Sequence, residues 1–95
     1  MAKSILQDRK ECYFTKVTGT ALHKHHIYEG KNRQISEREG FWVYLVPWLH
    51  NMSDEGVHFN KERDLILKRR CQAKYEETHT REEFLRLIGR SYLDW

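Results

Sequence analysis

The chain has few of the residues that usually divide, cross-link or anchor a protein. It has one proline and five glycines in 95 residues, and no linker-like stretch divides it, so we expect one small domain over residues 1–95. Cys12 and Cys71 are too few for a disulfide framework, and we expect both thiols to be free. The sequence shows no apolar run long enough to cross a bilayer and no apolar region like that of a signal peptide. It therefore favours a cytoplasmic location.

The chain also has little excess of charge of either sign. Seventeen Lys and Arg residues against fourteen Asp and Glu give a net charge of +3, with a pI near 9.0. This balance permits a polyanionic partner without requiring one. A hydrophobic fraction of 39% with 33% charged residues is typical of a globular domain with a modest core. Domains of this size often depend on a metal ion or a partner for stability.

Two segments of the first half have the residue pattern of strands. Residues 1–11 are polar and are expected to be irregular, whereas residues 21–28 alternate between apolar and polar side chains. Residues 41–49 are rich in aromatic and β-branched side chains and should form a second strand that ends near Pro47. Residues 30–40 are polar and basic and should connect the two strands as a long loop. We expect an antiparallel pair.

A long helix is predicted after the strands. Residues 51–56 form a turn-like stretch, and Asn60 can cap a helix that runs to about Glu77. The spacing of its apolar residues predicts a core-facing side, formed by Leu67, Cys71 and Tyr75 and widened by Ile66 and Ala73.

A second, C-terminal helix should follow the long one. Thr80 and Glu83 have the spacing of a capping box, and Gly89 is a suitable stop. Phe84, Leu87 and Ile88 give this helix an apolar stripe. The order strand, loop, strand, helix, helix predicts a small α+β fold.

Histidine is the most informative residue type in the chain. There are six, and four occupy boundaries of the predicted elements: His25 and His26 in the first strand, His50 at the end of the second, and His58 before the long helix. Histidine is the commonest neutral metal ligand and the usual general base near neutral pH. A metal centre is therefore the first hypothesis. His23 shares the strand face of His25 and is a competing ligand.

These segments resemble the HNH endonucleases, whose catalytic core is a ββα-metal fold. The resemblance is carried by His25-His26-Ile27, by Leu45-Val46-Pro47-Trp48-Leu49-His50 and by the helix that follows. It is closer to small phage-encoded members, because of Gly56-Val57-His58-Phe59-Asn60, the helix around Gln72 and the ending Gly89-Arg90-Ser91-Tyr92-Leu93. The similarity covers roughly Cys12 to Leu93. It implies a ββα core over residues 21–77 and a bacterial or phage-infected host cell.

The resemblance also implies roles for the histidines. His25 and His50 would bind one divalent metal ion (zinc, nickel, manganese or magnesium), and His26 would act as general base. We expect His58 to be a further ligand, because it would lie beside a helix N-terminus, where backbone amides also suit a phosphate oxygen. Adjacent strand residues point to opposite faces. His25 and His26 can therefore approach one phosphate only at a bulge or a strand end.

Basic residues supply candidate contacts to DNA phosphates. Arg63, Arg70 and Lys74 lie together on one side of the long helix, and Arg33 lies in the connecting loop. Such contacts would position DNA without reading its sequence. The alternative is that these side chains form an ordinary solvated surface, which is common for Lys and Arg.

The chain departs from the family in two respects. Many relatives hold a structural zinc ion with two pairs of cysteines, whereas Val46 and Leu49 stand where the second pair would be. An all-cysteine zinc site cannot form from the residues present. Phe41 stands at the expected place of the central asparagine; Asn32 and Asn51 are possible substitutes.

Three functions follow from the sequence. The first is a metal-dependent DNA endonuclease or nickase. The second is a catalytically inactive HNH-like module that binds DNA or a protein partner, including a second copy as a homodimer. The third is a helical interaction protein in which the histidines hold a structural metal ion only.

Overall fold

A computed structural model of the protein describes residues 2–50 and 60–94. The elements are β1 (His23–His26), a 3₁₀ turn (Gly30–Asn32), α1 (Arg33–Glu39), β2 (Trp42–Leu45), α2 (Pro47–His50), α3 (Lys61–Tyr75) and α4 (Arg81–Ile88). The architecture is α+β, with one antiparallel strand pair and several helices. The predicted turn at 51–56 and the candidate ligand His58 lie outside the described residues.

The two strands form an antiparallel pair as expected. The register places His23 opposite Leu45, and His25 opposite Val43. Because directly opposed residues share a face, these four side chains point to one side, which we call the inner face. The other side, the outer face, carries the side chains of Lys24, Tyr44, His26 and Trp42.

Both strands are shorter than their sequence patterns predicted. β1 covers four residues of the predicted 21–28, and β2 covers four of the predicted 41–49. The extension of the second strand beyond Leu45 to Leu49 is wrong, because Pro47 begins α2 instead. Proline has a backbone φ suited to the first helical position, where its missing N–H is not needed. The backbone N–H groups of Leu49 and His50 donate to the carbonyl of Val46, which closes this turn.

The connection over residues 30–40 was predicted to be a loop, but it contains α1. The helix has little amphipathic signal, since Ile35 is its one aliphatic residue. Tertiary contacts hold it: the buried hydroxyl of Ser36 donates to the carbonyl of Tyr28 and accepts from the Tyr28 N–H. Gly40 ends α1 with a positive φ of 79°, a conformation that glycine adopts without strain.

The N-terminal segment lies along β2. Residues 2–11 contain no helix or strand, yet backbone and side-chain hydrogen bonds attach the segment to the strand. The Ile5 N–H donates to the carbonyl of Gly40, Ser4 Oγ donates to the carbonyl of Trp42, and Gln7 Oε1 accepts from the Tyr44 N–H. This segment therefore covers polar groups of a strand edge that would otherwise be open.

The two long helices agree with the sequence prediction at their ends. Asn60 caps α3 by accepting from the Arg63 N–H. Thr80 and Glu83 form the predicted capping box of α4, and Gly89 ends that helix with a left-handed backbone conformation. The helix ends were predictable because the capping residues act on their own chain neighbours.

The buried face of α3 differs in part from the prediction. Leu67, Cys71 and Tyr75 are buried as expected, but Ile66 and Ala73 are exposed. Gln72 is buried in their place. Its side-chain N–H groups donate to Glu76 and Ser91, and its carbonyl oxygen accepts from the Tyr92 N–H. These bonds satisfy a polar group that would be costly to bury alone.

The core joins the sheet to both helices. Among the described residues, fourteen hydrophobic side chains are buried, including Tyr28, Phe41 and Phe84, whose rings contact one another edge-to-face or in tilted pairs. Cys12 and Cys71 are buried and free, as predicted. In the described part of the chain, no helix is long and apolar enough to cross a membrane.

Candidate functional site

The candidate site is divided by the plane of the sheet. β1 is regularly paired through His26, so strand alternation sends adjacent side chains to opposite faces. His23 and His25 lie on the inner face, and Lys24 and His26 lie on the outer face. The predicted ligand His25 and the predicted base His26 are therefore neighbours in the chain but belong to two different clusters.

His25 is the centre of the inner cluster. It is 1% exposed, and its ring contacts the ring of His50 with a centroid distance of 5.3 Å and an interplanar angle of 69°. α2 brings His50 to this position, since the helical turn after Pro47 carries the chain back towards β1. The structure thus brings together two of the three predicted metal ligands.

Two carboxylates join His25 on the inner side. Glu29 follows β1, and its Oε1 lies 3.7 Å from His25 Nδ1. Asp64 lies in the first turn of α3, one turn before the buried Leu67, so the face that packs on the sheet also carries this carboxylate. The potential ligand atoms of these three residues all lie within 4.8 Å of one another.

This spacing is compatible with a single divalent ion. Two ligands on opposite sides of an ion are about 4–5 Å apart, because metal–oxygen and metal–nitrogen bonds are about 2.0–2.6 Å long. The group of His25, Glu29 and Asp64 could therefore hold a metal ion. One imidazole with two carboxylates would accept manganese, magnesium or zinc.

The short polar contact of His50 is with His23 and not with His25. Its Nδ1 atom lies 3.0 Å from the Nδ1 atom of His23, and the two rings are 5.1 Å apart at 81°. His23 and His50 are each partly buried. His23, which the sequence offered only as a competing ligand, is thus the histidine whose nitrogen faces His50.

The outer cluster is built around Glu37 of α1. Its Oε1 lies 2.8 Å from His26 Nε2, and Lys24 Nζ lies 2.8 and 3.0 Å from its two oxygens. The hydrogen bonds from Lys24 and then from His26 lower the pKa of Glu37 below its ordinary value. The carboxylate is therefore ionised near neutral pH, and the Nε2 atom of His26 must carry the hydrogen between them. The remaining nitrogen, Nδ1, is the one that can accept a proton.

A cleft of about 420 Å³ opens beside His26. It is lined by Ala2, His26, Arg33, Gln34, Glu37 and Arg38. Arg33 makes no ion pair within residues 2–50 and 60–94. Its guanidinium group can therefore meet an anion that enters this cleft.

The other predicted DNA contacts lie elsewhere. Arg63 lies over the ring of Phe14 at 5.7 Å, and Arg70 donates to the hydroxyl of Tyr13 at 3.3 Å. Lys74 pairs with Glu77 at 3.3 Å. The structure therefore places Arg63 and Arg70 beside adjacent aromatic residues, while Arg33 lies in the cleft of the outer cluster.

The place of the family's central asparagine is filled by a core residue. Phe41 is fully buried and packs on Tyr75 with a centroid distance of 5.4 Å. Asn32, one of the two possible substitutes, donates to the carbonyl of Ile88 and ties the 3₁₀ turn to α4. Asn51, the other, lies outside the described residues.

Three acidic residues of these clusters were missed by the sequence reasoning. Glu29 is four residues after His25, and Asp64 is three residues before Leu67, but neither spacing is distinctive in a chain with 14 acidic residues. Glu37 lies in the polar segment of residues 30–40, where an acidic residue is equally undistinctive. The one available signal was the helical period, which would have placed Asp64 on the core-facing side of α3.

Comparisons of the chain with protein-family models, with curated proteins and with solved structures find no match.

Proposed function

We propose that the protein is a metal-dependent phosphodiester hydrolase that cuts or nicks DNA, with a centre like that of the HNH endonucleases. The observation that carries this proposal is the buried His25, with two carboxylates and the ring of His50 around it. A buried imidazole beside two carboxylates is costly to keep without a functional reason, so His25 and its neighbours are a good candidate for a site.

The inner cluster would hold the metal ion. His25, Glu29 and Asp64 provide three ligand atoms that fit one ion, and His50 borders them. A divalent ion bound there supplies Lewis-acid stabilisation of negative charge on a phosphate. The protein's own contribution is to fix the ligands on β1, on the segment that follows it and on α3, so that the core of the fold holds the site in shape.

The outer cluster would supply the base. Glu37 holds the Nε2–H of His26, which leaves Nδ1 to take a proton from water. Arg33 would hold a phosphate group in the cleft beside this ring. His26 is the last residue of β1 and points to the face opposite His25, so in this proposal the phosphate would join the two clusters around the end of the strand.

One observation favours a second function, a non-catalytic module that binds DNA or a protein and holds a metal ion for stability. The side chains of His25 and His26 point to opposite faces of the sheet, and Glu37 occupies the Nε2 side of His26. In this second function the inner cluster stabilises the fold. The partner is bound by basic side chains alone, such as Arg33, Arg63 and Arg70.

A plasmid-cleavage assay separates the two functions. The full chain is incubated with supercoiled plasmid and magnesium, manganese, nickel or zinc, and then with EDTA. We expect cleavage that EDTA stops, that His25→Ala abolishes, and that His26→Ala reduces by roughly 10²–10⁴-fold with metal binding retained. His79→Ala is the matched control, because His79 stacks on Tyr75 near α4, away from both clusters.

The assay has a clear negative outcome. If the folded protein with bound metal cuts no plasmid under any of these conditions, the hydrolase proposal is rejected. If cleavage occurs and His26→Ala leaves its rate unchanged, the metal-dependent activity stands but the role of His26 as base is rejected.

A further inference from the structure

His50 borders the group of His25, Glu29 and Asp64, but its Nδ1 atom faces His23 and not that group. We propose that these two histidines form a second cation site, a two-imidazole site for a transition-metal ion such as copper, nickel or zinc. The site is separate from the carboxylate-containing group of His25, Glu29 and Asp64, and it does not depend on the chain being a nuclease.

The distance between the two nitrogen atoms supports this site. His23 Nδ1 and His50 Nδ1 are 3.0 Å apart. Two imidazole nitrogens that bind one ion at about 2.0–2.1 Å, with an angle near 90–110° between the bonds, lie about 2.9–3.4 Å from each other. The observed separation of 3.0 Å falls in this range.

The fold fixes both rings in this relation. His23 is the first residue of β1, opposite Leu45 in the register, and His50 is the last residue of α2. Only Val46 lies between β2 and α2, so the strand pairing that places His23 also places the turn that carries His50. Both rings are partly buried, which limits the freedom they would lose when they bind an ion.

The chemistry of the ligands distinguishes this pair from the neighbouring group. Neutral imidazoles favour copper, nickel and zinc, whereas carboxylate oxygens favour manganese and magnesium. Copper is therefore the sharpest probe for the His23–His50 pair, and manganese is the matched probe for the group that contains Glu29 and Asp64. The two sites can be followed in the same sample by their different metals.

The alternative is an ordinary hydrogen bond between the two rings. In that case one Nδ1 carries a hydrogen and the other accepts it, whereas in the metal site both Nδ1 lone pairs point to the ion and both Nε2 atoms carry hydrogens. The two arrangements have the same distance between heavy atoms. A measurement of metal coordination distinguishes them.

The test uses electron paramagnetic resonance of the full chain with less than one equivalent of Cu²⁺. Electron spin echo modulation counts the imidazoles that coordinate copper, and a competition titration gives the affinity. The variant is His23→Phe, which keeps an aromatic ring beside His50 but removes its ligand atom. His79→Phe is the matched control, because it removes a histidine that the site does not use.

We expect two coordinated imidazoles in the wild type and in His79→Phe, and one in His23→Phe. The copper affinity of His23→Phe should fall by more than the roughly tenfold that loss of an outer-shell partner costs, while its manganese affinity stays unchanged. The proposal is overturned if His23→Phe keeps both the imidazole count and the affinity, or if the wild type coordinates copper through one imidazole. His23→Gln replaces His23→Phe if the latter does not fold.

Failure of this proposal is distinguishable from failure of the hydrolase proposal. The copper measurement requires no DNA and no turnover, so an inactive protein still gives a decisive spectrum. If the protein cleaves DNA with manganese but its copper spectrum shows one coordinated imidazole, the hydrolase proposal stands and the second site is rejected.

Discussion

His26 and Glu37 meet on the outer face of the sheet, where the Nε2 atom of His26 lies 2.8 Å from the Oε1 atom of Glu37. The two residues belong to different elements, β1 and α1, and Lys24 binds the same carboxylate from the strand. The ionised Glu37 therefore fixes the tautomer of His26 and neutralises the charge of Lys24. The orientation of the proposed base is set by a residue of α1.

The first prediction concerns the ionisation of Glu37. Lys24→Ala should raise the pKa of Glu37 towards its ordinary value, because the hydrogen bond from Lys24 is the largest contribution that lowers it. The titration of the side-chain carboxyl carbon, followed by nuclear magnetic resonance, measures this pKa. A carboxyl group whose pKa is lowered by folding stabilises the folded state at pH values above its pKa in the unfolded chain, which is about 4.3 for Glu. This contribution is lost as the pH falls through the folded pKa.

Lys31→Ala is the control for that titration, since Lys31 lies in the 3₁₀ turn between β1 and α1 and makes no ion pair in the described part of the chain. An unchanged Glu37 pKa in Lys24→Ala would show that the lysine does not reach the carboxylate in solution.

The second prediction concerns Arg33 and DNA. Arg33→Ala should weaken binding to any DNA sequence and reduce the slope of log affinity against log salt by about 1, because one phosphate contact is lost. Fluorescence anisotropy with a labelled duplex at several salt concentrations measures both quantities. Arg86→Ala is the control, since Arg86 pairs with Glu82 on the exposed side of α4. Equal losses in the two variants would mean that net charge alone, and not the cleft, binds DNA.

The third prediction concerns the buried amide of Gln72. Gln72→Ala should lower the free energy of unfolding by about 2–4 kcal/mol, because it opens a cavity and removes hydrogen bonds to Ser91 and Tyr92. Urea denaturation measures the change. Gln34→Ala, on the exposed side of α1, should change stability by less than about 0.5 kcal/mol. Similar stabilities for the two variants would contradict the attachment of residues 91–92 to α3.

The fourth prediction compares two glycines that both have positive φ. A side chain at Gly19 (φ 71°) would meet no atom within 4 Å, whereas one at Gly40 (φ 79°) would collide with the carbonyl oxygen of Lys3. Gly19→Ala should therefore cost only the backbone strain, about 1–2 kcal/mol. Gly40→Ala should cost more, and it should displace the N-terminal segment from β2.

Thermal unfolding ranks the two glycine variants, and hydrogen exchange at the Ile5 amide reports on the displacement. That amide donates to the carbonyl of Gly40, so it should exchange faster in Gly40→Ala alone. Equal stability of the two variants would show that residue 3 does not pack on the end of α1.

Several features of this fold were predictable because their causes are local in the chain. The capping box of Thr80 and Glu83 acts within one helical turn, and the core-facing Leu67, Cys71 and Tyr75 follow the helical period. Strand alternation likewise placed His23 and His25 on one face and predicted the division between His25 and His26. Local geometry and periodicity are properties of the sequence itself.

Other features were decided by the tertiary structure. α1 was not predicted because its stability comes from contacts with residues outside the helix, such as that of Ser36 with Tyr28. Such contacts leave no periodic signal in the sequence. The burial of Gln72 similarly depends on the return of the C-terminal segment to α3.

The composition of the candidate site shows the same division. The sequence offered His25, His26 and His50 as candidate site residues, because histidine is uncommon and lies here at element boundaries. It did not identify Glu29, Asp64 or Glu37, since acidic residues are common in the chain and any of them could be solvated. Only the packing of α3 and α1 against the strands selects these carboxylates, because proximity in space decides which charges interact.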